Sequence, residues 1–110
     1  MDRAVFVYTT FPGIVEAEAA AQAIVQRRLA ACANILPGMV SHYWWEGRVE
    51  RAEEVVAIFK TRSSLAEAVR TAIRELHSYQ VPAISVIPLE SVDRDYLEWL
   101  MGSTRSAGAD

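Results

Sequence analysis

Apolar residues along this chain switch between a strand period and a helix period, and each switch marks an element. Ala4-Val5-Phe6-Val7-Tyr8-Thr9-Thr10 is β-branched and aromatic throughout and stops at Pro12-Gly13. That pattern predicts a first strand buried on both faces, then a turn. From Ile14 to Ala31 there is no glycine or proline, and Ala17, Ala21, Ile24 and Arg28 or Leu29 share one stripe. A helix over 14–31 is expected, its alanines letting it lie close to a sheet. Pro37-Gly38 then interrupts an apolar stretch, and because proline donates nothing to a ladder, a strand ends or bulges there.

Met39 to Glu46 and Arg48 to Thr61 flank Glu46-Gly47, where glycine supplies the positive φ of a tight reversal. The resulting hairpin has arms longer than the usual five or six residues and should outreach a small core. Val55, Ala57 and Phe59 alternate with Val56 and Ile58, so this section is apolar on both faces and reads as a central strand. Two tryptophans, Trp44 and Trp45, stand side by side near the tip. Neighbours on a strand point to opposite faces, so one is expected in the subunit's own core and the other under a partner.

Ser64-Leu65-Ala66-Glu67 fits a capping box, and Leu65, Val69, Ala72, Ile73 and Leu76 follow at helical spacing. Val81-Pro82 restarts the chain as extended, Ile84-Ser85-Val86-Ile87-Pro88 is the fourth strand, and Asp93-Arg94-Asp95 opens a last short helix carrying Tyr96, Leu97, Trp99 and Leu100. Strand, helix, strand, strand, helix, strand is the order of the ferredoxin-like split βαβ, an α+β fold (βαββαβ), here with a long central hairpin and an extra C-terminal helix. Two helices cover one face of a four-stranded sheet. The other face is apolar too, so association with further copies of the chain is the simplest cover.

Length and composition narrow the functional classes. With 110 residues the chain fits one domain, taken as 1–101, followed by a tail over 102–110. A net charge of −3, with lysines and arginines scattered, disfavours nucleic acid and anionic membrane as partners. The single cysteine, Cys32, has no internal disulfide partner, and neither a basic-then-apolar leader nor a run of about twenty apolar residues is present. A cytoplasmic protein is expected. Two histidines and one cysteine with no Ser-His-Asp or Cys-His order leave little catalytic inventory, so no enzymatic activity is expected.

Several stretches resemble the CutA divalent-cation tolerance family: Leu29-Ala30-Ala31-Cys32-Ala33-Asn34-Ile35-Leu36-Pro37-Gly38, Tyr43-Trp44-Trp45-Glu46-Gly47, Lys60-Thr61, His77-Ser78-Tyr79-Gln80-Val81-Pro82 and Asp95-Tyr96-Leu97-Glu98-Trp99-Leu100. The resemblance implies a ferredoxin-like subunit similar to the PII proteins, assembled as a homotrimer whose long hairpins cross onto neighbouring subunits. It also implies binding of a divalent cation, copper among them, and a role in metal tolerance without catalysis. His77 is the metal-ligand candidate it carries over. Departures are visible: Ser78 and Ala83 stand where the family pattern has proline and glutamate, and Thr9 and Leu76 stand where some bacterial members place a cysteine and a second histidine. These changes remove sulfur and imidazole donors, leaving oxygen-preferring or borderline cations open.

Residue by residue, each metal candidate has a plainer reading. Imidazole suits copper and zinc, but His77 also simply ends the second helix, where its protonated form interacts favourably with the helix terminus. Cys32 within Ala30-Ala31-Cys32-Ala33 reads first as a small buried hydrophobe and only weakly as a ligand. Glu50 and Glu54 share one side of a strand and are either a solvated face or hard oxygen ligands. His42 reads as a surface residue. No C-x-x-C or H-x-x-x-H cluster exists, so a strong centre would have to unite donors across a subunit cleft. The alternative class is a PII-like sensor holding a small molecule or anion in that cleft, with Lys60, Arg62 and Arg48 as the available positive charge.

Overall fold

A computed structural model describes residues 2–106. The elements run β1 (Ala4–Phe11), α1 (Ile14–Gln26), β2 (Cys32–Trp45), β3 (Arg48–Arg62), α2 (Ala66–Leu76), β4 (Ile84–Pro88) and α3 (Arg94–Ser103), with one 3₁₀ turn at Ser63–Leu65 leading into α2. All pairings in the single sheet are antiparallel, in the order β2-β3-β1-β4. This is the ferredoxin-like arrangement.

Register explains which residues meet the helices. Val7 pairs with Phe59 and Val86, and Phe11 pairs with Val55, so Val7, Phe11, Val55, Ala57, Phe59 and Val86 share one face. Against it lie Ala17, Ala20, Ala21 and Ile24 of α1 and Val69, Ala72 and Ile73 of α2, completing one buried cluster. Phe11 and Phe59 are wholly buried there. Truncating either to alanine would cost about 3–5 kcal/mol.

Several local expectations change. α1 stops at Gln26, short of Ala31, in a Schellman arrangement: Arg28 N–H donates to Val25 O, Leu29 N–H to Ile24 O, and Arg28 takes the left-handed conformation with φ 59°. The helix yields because Leu29 and Ala30 are buried and Ala31 N–H donates to Lys60 O, while the Thr61 hydroxyl donates to Leu29 O at 2.6 Å. No capping box forms at Ser64. Instead the Asp2 carboxylate accepts from Ser64 N–H, from the Ser64 hydroxyl and from Ser63, tying the chain start to the entry of α2. Leu76, expected on the inner stripe, is exposed.

The bulge falls at Pro37-Gly38. Leu36 pairs with Val56 and Met39 with Glu54, leaving both residues opposite Val55 alone, with Gly38 at φ 86°. Beyond it the two strands continue as a paired ribbon to Trp45 and Arg48, joined by Glu46-Gly47 with φ 50° and 77°, the type I′ pattern. The ribbon outruns the helices, which overturns the expectation for the tryptophan pair. Neither enters this subunit's core: Trp44 is 74% exposed and Trp45 44%.

α3 lies over one end of the second sheet face. Leu100 is wholly buried, and the Arg62 guanidinium bonds Asp2, Met101 O and Thr104. Gly102 and Ser103, read as the start of a tail, are helical, and Thr104 is buried; residues 107–110 of that reading lie outside the described residues. No described helix is long and apolar enough to cross a membrane.

Candidate functional site

Past the end of α3 the second sheet face opens into a cavity of about 640 Å³. Three elements build it. β1 contributes Tyr8 and Thr10, the ribbon beyond the bulge contributes Met39, Tyr43 and Trp45 on one strand and Glu54 on the other, and the loop after α2 contributes Tyr79 and Val81. Strand alternation makes this set inevitable: Thr10 pairs with Val56, Glu54 lies two residues along the same face, and Glu54 pairs with Met39.

Glu54 is the centre of the polar part. Its Oε2 accepts from the Tyr79 hydroxyl at 2.8 Å and from the Thr10 hydroxyl at 3.2 Å, and its side chain belongs to a residue only 9% exposed. Burial first, then the hydrogen bond and negative charge of Glu54, push the Tyr79 phenol well above its ordinary range. The phenol therefore stays protonated and remains a donor.

His77 stands directly behind this pair. Its side chain is fully buried and stacked on Phe11 with ring centroids 4.4 Å apart. Nε2 lies 2.5 Å from Thr10 O and Nδ1 accepts the Tyr79 N–H at 3.1 Å, which makes Nε2 the protonated nitrogen. Glu16 sits 3.8 Å from Nδ1 and accepts from both the N–H and the hydroxyl of Ser78. Both ring nitrogens are thus engaged in holding Thr10 and Tyr79, so His77 orients the groups that grip Glu54.

Of the four metal candidates, His77 and Glu54 are brought together through Thr10 and Tyr79; Glu50 and Cys32 are not. Glu50 lies further out on the ribbon, opposite Tyr43. Cys32 pairs with Lys60, six residues along β3 from Glu54, about 20 Å away at strand rise. There its sulfur neighbours Tyr96, whose phenol is raised by burial and then by Cys32. Among the described residues, no three His, Cys, Asp or Glu side chains converge to hold a metal. Of the three positive charges considered for an anion, two are committed elsewhere: Lys60 Nζ sits 5.4 Å from the Phe6 ring and 5.9 Å from that of Tyr96, and Arg62 holds α3, while Arg48 pairs with Trp45 at the ribbon tip.

Sequence reasoning missed Thr10, Tyr8 and Glu16. Thr10 was legible in part, because it shares the parity of Phe6 and Tyr8 on β1; Glu16, on the first turn of α1, gave no signal.

Comparison with known proteins follows the same outline. The pattern of the CutA1 divalent ion tolerance protein family matches residues 5–103. The divalent-cation tolerance protein CutA of Pyrococcus horikoshii is 46% identical over 101 residues, which span 92% of this chain and 98% of that protein. Its counterpart from Archaeoglobus fulgidus is 42% identical over 95 residues, 86% of this chain and 92% of its own. The crystal structure of divalent ion tolerance protein CutA1 from Ehrlichia chaffeensis superposes with a TM-score of 0.91 at 28% identity, covering 96% of this chain and 99% of that one. CutA1 from Oryza sativa gives 0.90 at 41% identity, covering 93% and 94%. Sequence, topology and near-complete mutual coverage agree, and the chain belongs to the CutA1 divalent ion tolerance family.

Proposed function

We propose that this chain assembles as a homotrimer and binds divalent cations in clefts shared between subunits, serving metal-ion tolerance without catalysis. The observation that carries the reading is the match to proteins named for divalent-cation tolerance along almost their whole length. Two physical features support the assembly. Trp44 and Val49, cross-strand partners on the ribbon, are 74% and 60% exposed, an apolar patch of the kind that marks an interface. A cluster of donors is also missing within one described chain, so a cation centre needs ligands from a second copy.

Donor chemistry favours cations that accept oxygen. Glu54 and, further out, Glu50 offer carboxylates on the cavity side of β3, whereas His77 must release the Tyr79 N–H before Nδ1 can bind a metal. Copper would draw on His77 or Cys32, each placed away from the open cavity. Sedimentation equilibrium should give three times the 12.2 kDa chain mass, and manganous ion should titrate the assembled protein. A Trp44→Asp/Val49→Asp variant should sediment as a folded monomer and lose that binding. A compact wild-type monomer, or a monomeric variant that binds as tightly as wild type, would overturn the reading.

A further inference from the structure

We infer that Tyr79 and Thr10 determine which divalent cations the chain accepts, by occupying one oxygen of Glu54 and leaving its carboxylate a single oxygen to offer a metal. The inference rests on the divalent-cation reading above and names the class of ion that fits it: small octahedral cations such as manganous ion, in preference to calcium. Its ground is the state of Oε2. The Tyr79 hydroxyl donates to it at 2.8 Å and the Thr10 hydroxyl at 3.2 Å, so both of its lone pairs are taken. Both donors belong to Glu54's own chain. A neighbouring subunit seated on this face can bring further ligands or side chains to Oε1, but nothing it adds there releases Oε2.

The two hydroxyls are held from behind, so they do not follow an incoming ion. Thr10 lies in β1 opposite Val56, and its carbonyl is bonded by His77 Nε2. The Tyr79 N–H donates to His77 Nδ1 at 3.1 Å. One residue back, the Ser78 N–H and hydroxyl donate to Glu16 at 3.2 and 3.0 Å, anchoring the loop to the first turn of α1. His77 itself is wholly buried and stacked on Phe11. Hydroxyls positioned by β1, α1 and a buried ring thus fix how the carboxylate is turned. Calcium gathers about six to eight oxygens and readily takes both from one carboxylate, whereas magnesium and manganous ions favour octahedral sites that take one. Chelation through both Glu54 oxygens would break two charge-assisted hydrogen bonds; coordination through Oε1 keeps them.

The test titrates calcium and manganous ion calorimetrically into the assembled full chain, as wild type and as Tyr79→Phe, Thr10→Val and the double variant. Each single variant removes one hydroxyl and should lower the preference for manganous ion over calcium by roughly three- to ten-fold, the double variant by more. Sedimentation and thermal melting report which variants still fold and assemble; should the double variant fail, the single ones decide. Infrared spectra give a second readout. With manganous ion bound to wild type, the Glu54 carboxylate bands, found by difference against Glu54→Gln, should show the wide separation of one-oxygen coordination, and with calcium bound to the double variant the narrow separation of chelation. An ion preference unchanged in both single variants, narrow bands in wild type, or manganous binding indifferent to Glu54→Gln would each overturn this inference and leave the divalent-cation reading standing. A wild-type assembly that binds neither ion sinks that reading and this inference together.

Discussion

The Tyr79 hydroxyl donates to Glu54 Oε2 at 2.8 Å across 25 residues of sequence, and the phenol's affinity for its proton is raised by burial first and then by that contact. Folding therefore stabilises the protonated phenol relative to the unfolded chain. That contribution is complete below the ordinary value of 10.0 and is lost as pH climbs above it toward the higher folded value. Denaturation midpoints measured between about pH 9 and 12 should fall with pH. Tyr79→Phe should flatten the fall in part, Tyr96 supplying the remainder, and an identical slope in the variant would refute the assignment.

Asp2 provides the opposite sign. Partial desolvation works to raise its carboxyl, but hydrogen bonds from Ser64, Ser63 and Arg62 outweigh it and hold the group below 3.8. Its stabilising effect is present above the unfolded value and disappears as pH falls through the folded one. Because the carboxylate takes the place of a helix cap at α2, Asp2→Asn should lower stability by roughly 0.5–2 kcal/mol near neutrality. Urea unfolding at pH 7 and again at acid pH would show it, with the difference shrinking in acid.

His77→Phe preserves the stack on Phe11 but strands Thr10 O and the Tyr79 N–H. A loss of about 1–3 kcal/mol is expected, the cost of buried groups left unpaired. Near-ultraviolet circular dichroism should change as well, since Tyr79 loses its anchor. An unaltered spectrum and midpoint would mean that the ring does not position the loop.

Glu46 sits at φ 50° in the type I′ turn, a region where asparagine and glycine are at ease and glutamate is not. Glu46→Asn should add a few tenths to about 1 kcal/mol without touching the cavity. Thermal melting of the assembled protein is the check, and a decrease would count against the strain.

Much of the architecture was readable in the chain itself. The apolar run over Val55–Phe59 announced a central strand, Pro37-Gly38 announced a bulge, and Glu46-Gly47 announced the reversal, because each depends on residues adjacent in sequence. Where tertiary contacts competed, local reading lost. Arg28 enters the left-handed region that glycine usually takes, so that Leu29 and Ala30 can bury, and Asp2 displaces Ser64 as the group that satisfies the start of α2. The tryptophan pair misled for a related reason: alternation decides which side a residue faces, but not whether anything lies on that side. The Glu54 cluster was legible only in pieces. Thr10 and Glu54 are 44 residues apart, and only the register of β1 against β3, followed by the turn after α2, brings them and Tyr79 to one point.

The two-against-one step at Pro37-Gly38 has an evolutionary corollary. It falls where the helical layer gives out, so residues nearer the sheet answer to folding while those toward Trp44 answer to whatever they touch. A lineage can therefore rewrite the outer ribbon, and with it the choice of neighbour, while inheriting the inner half unchanged.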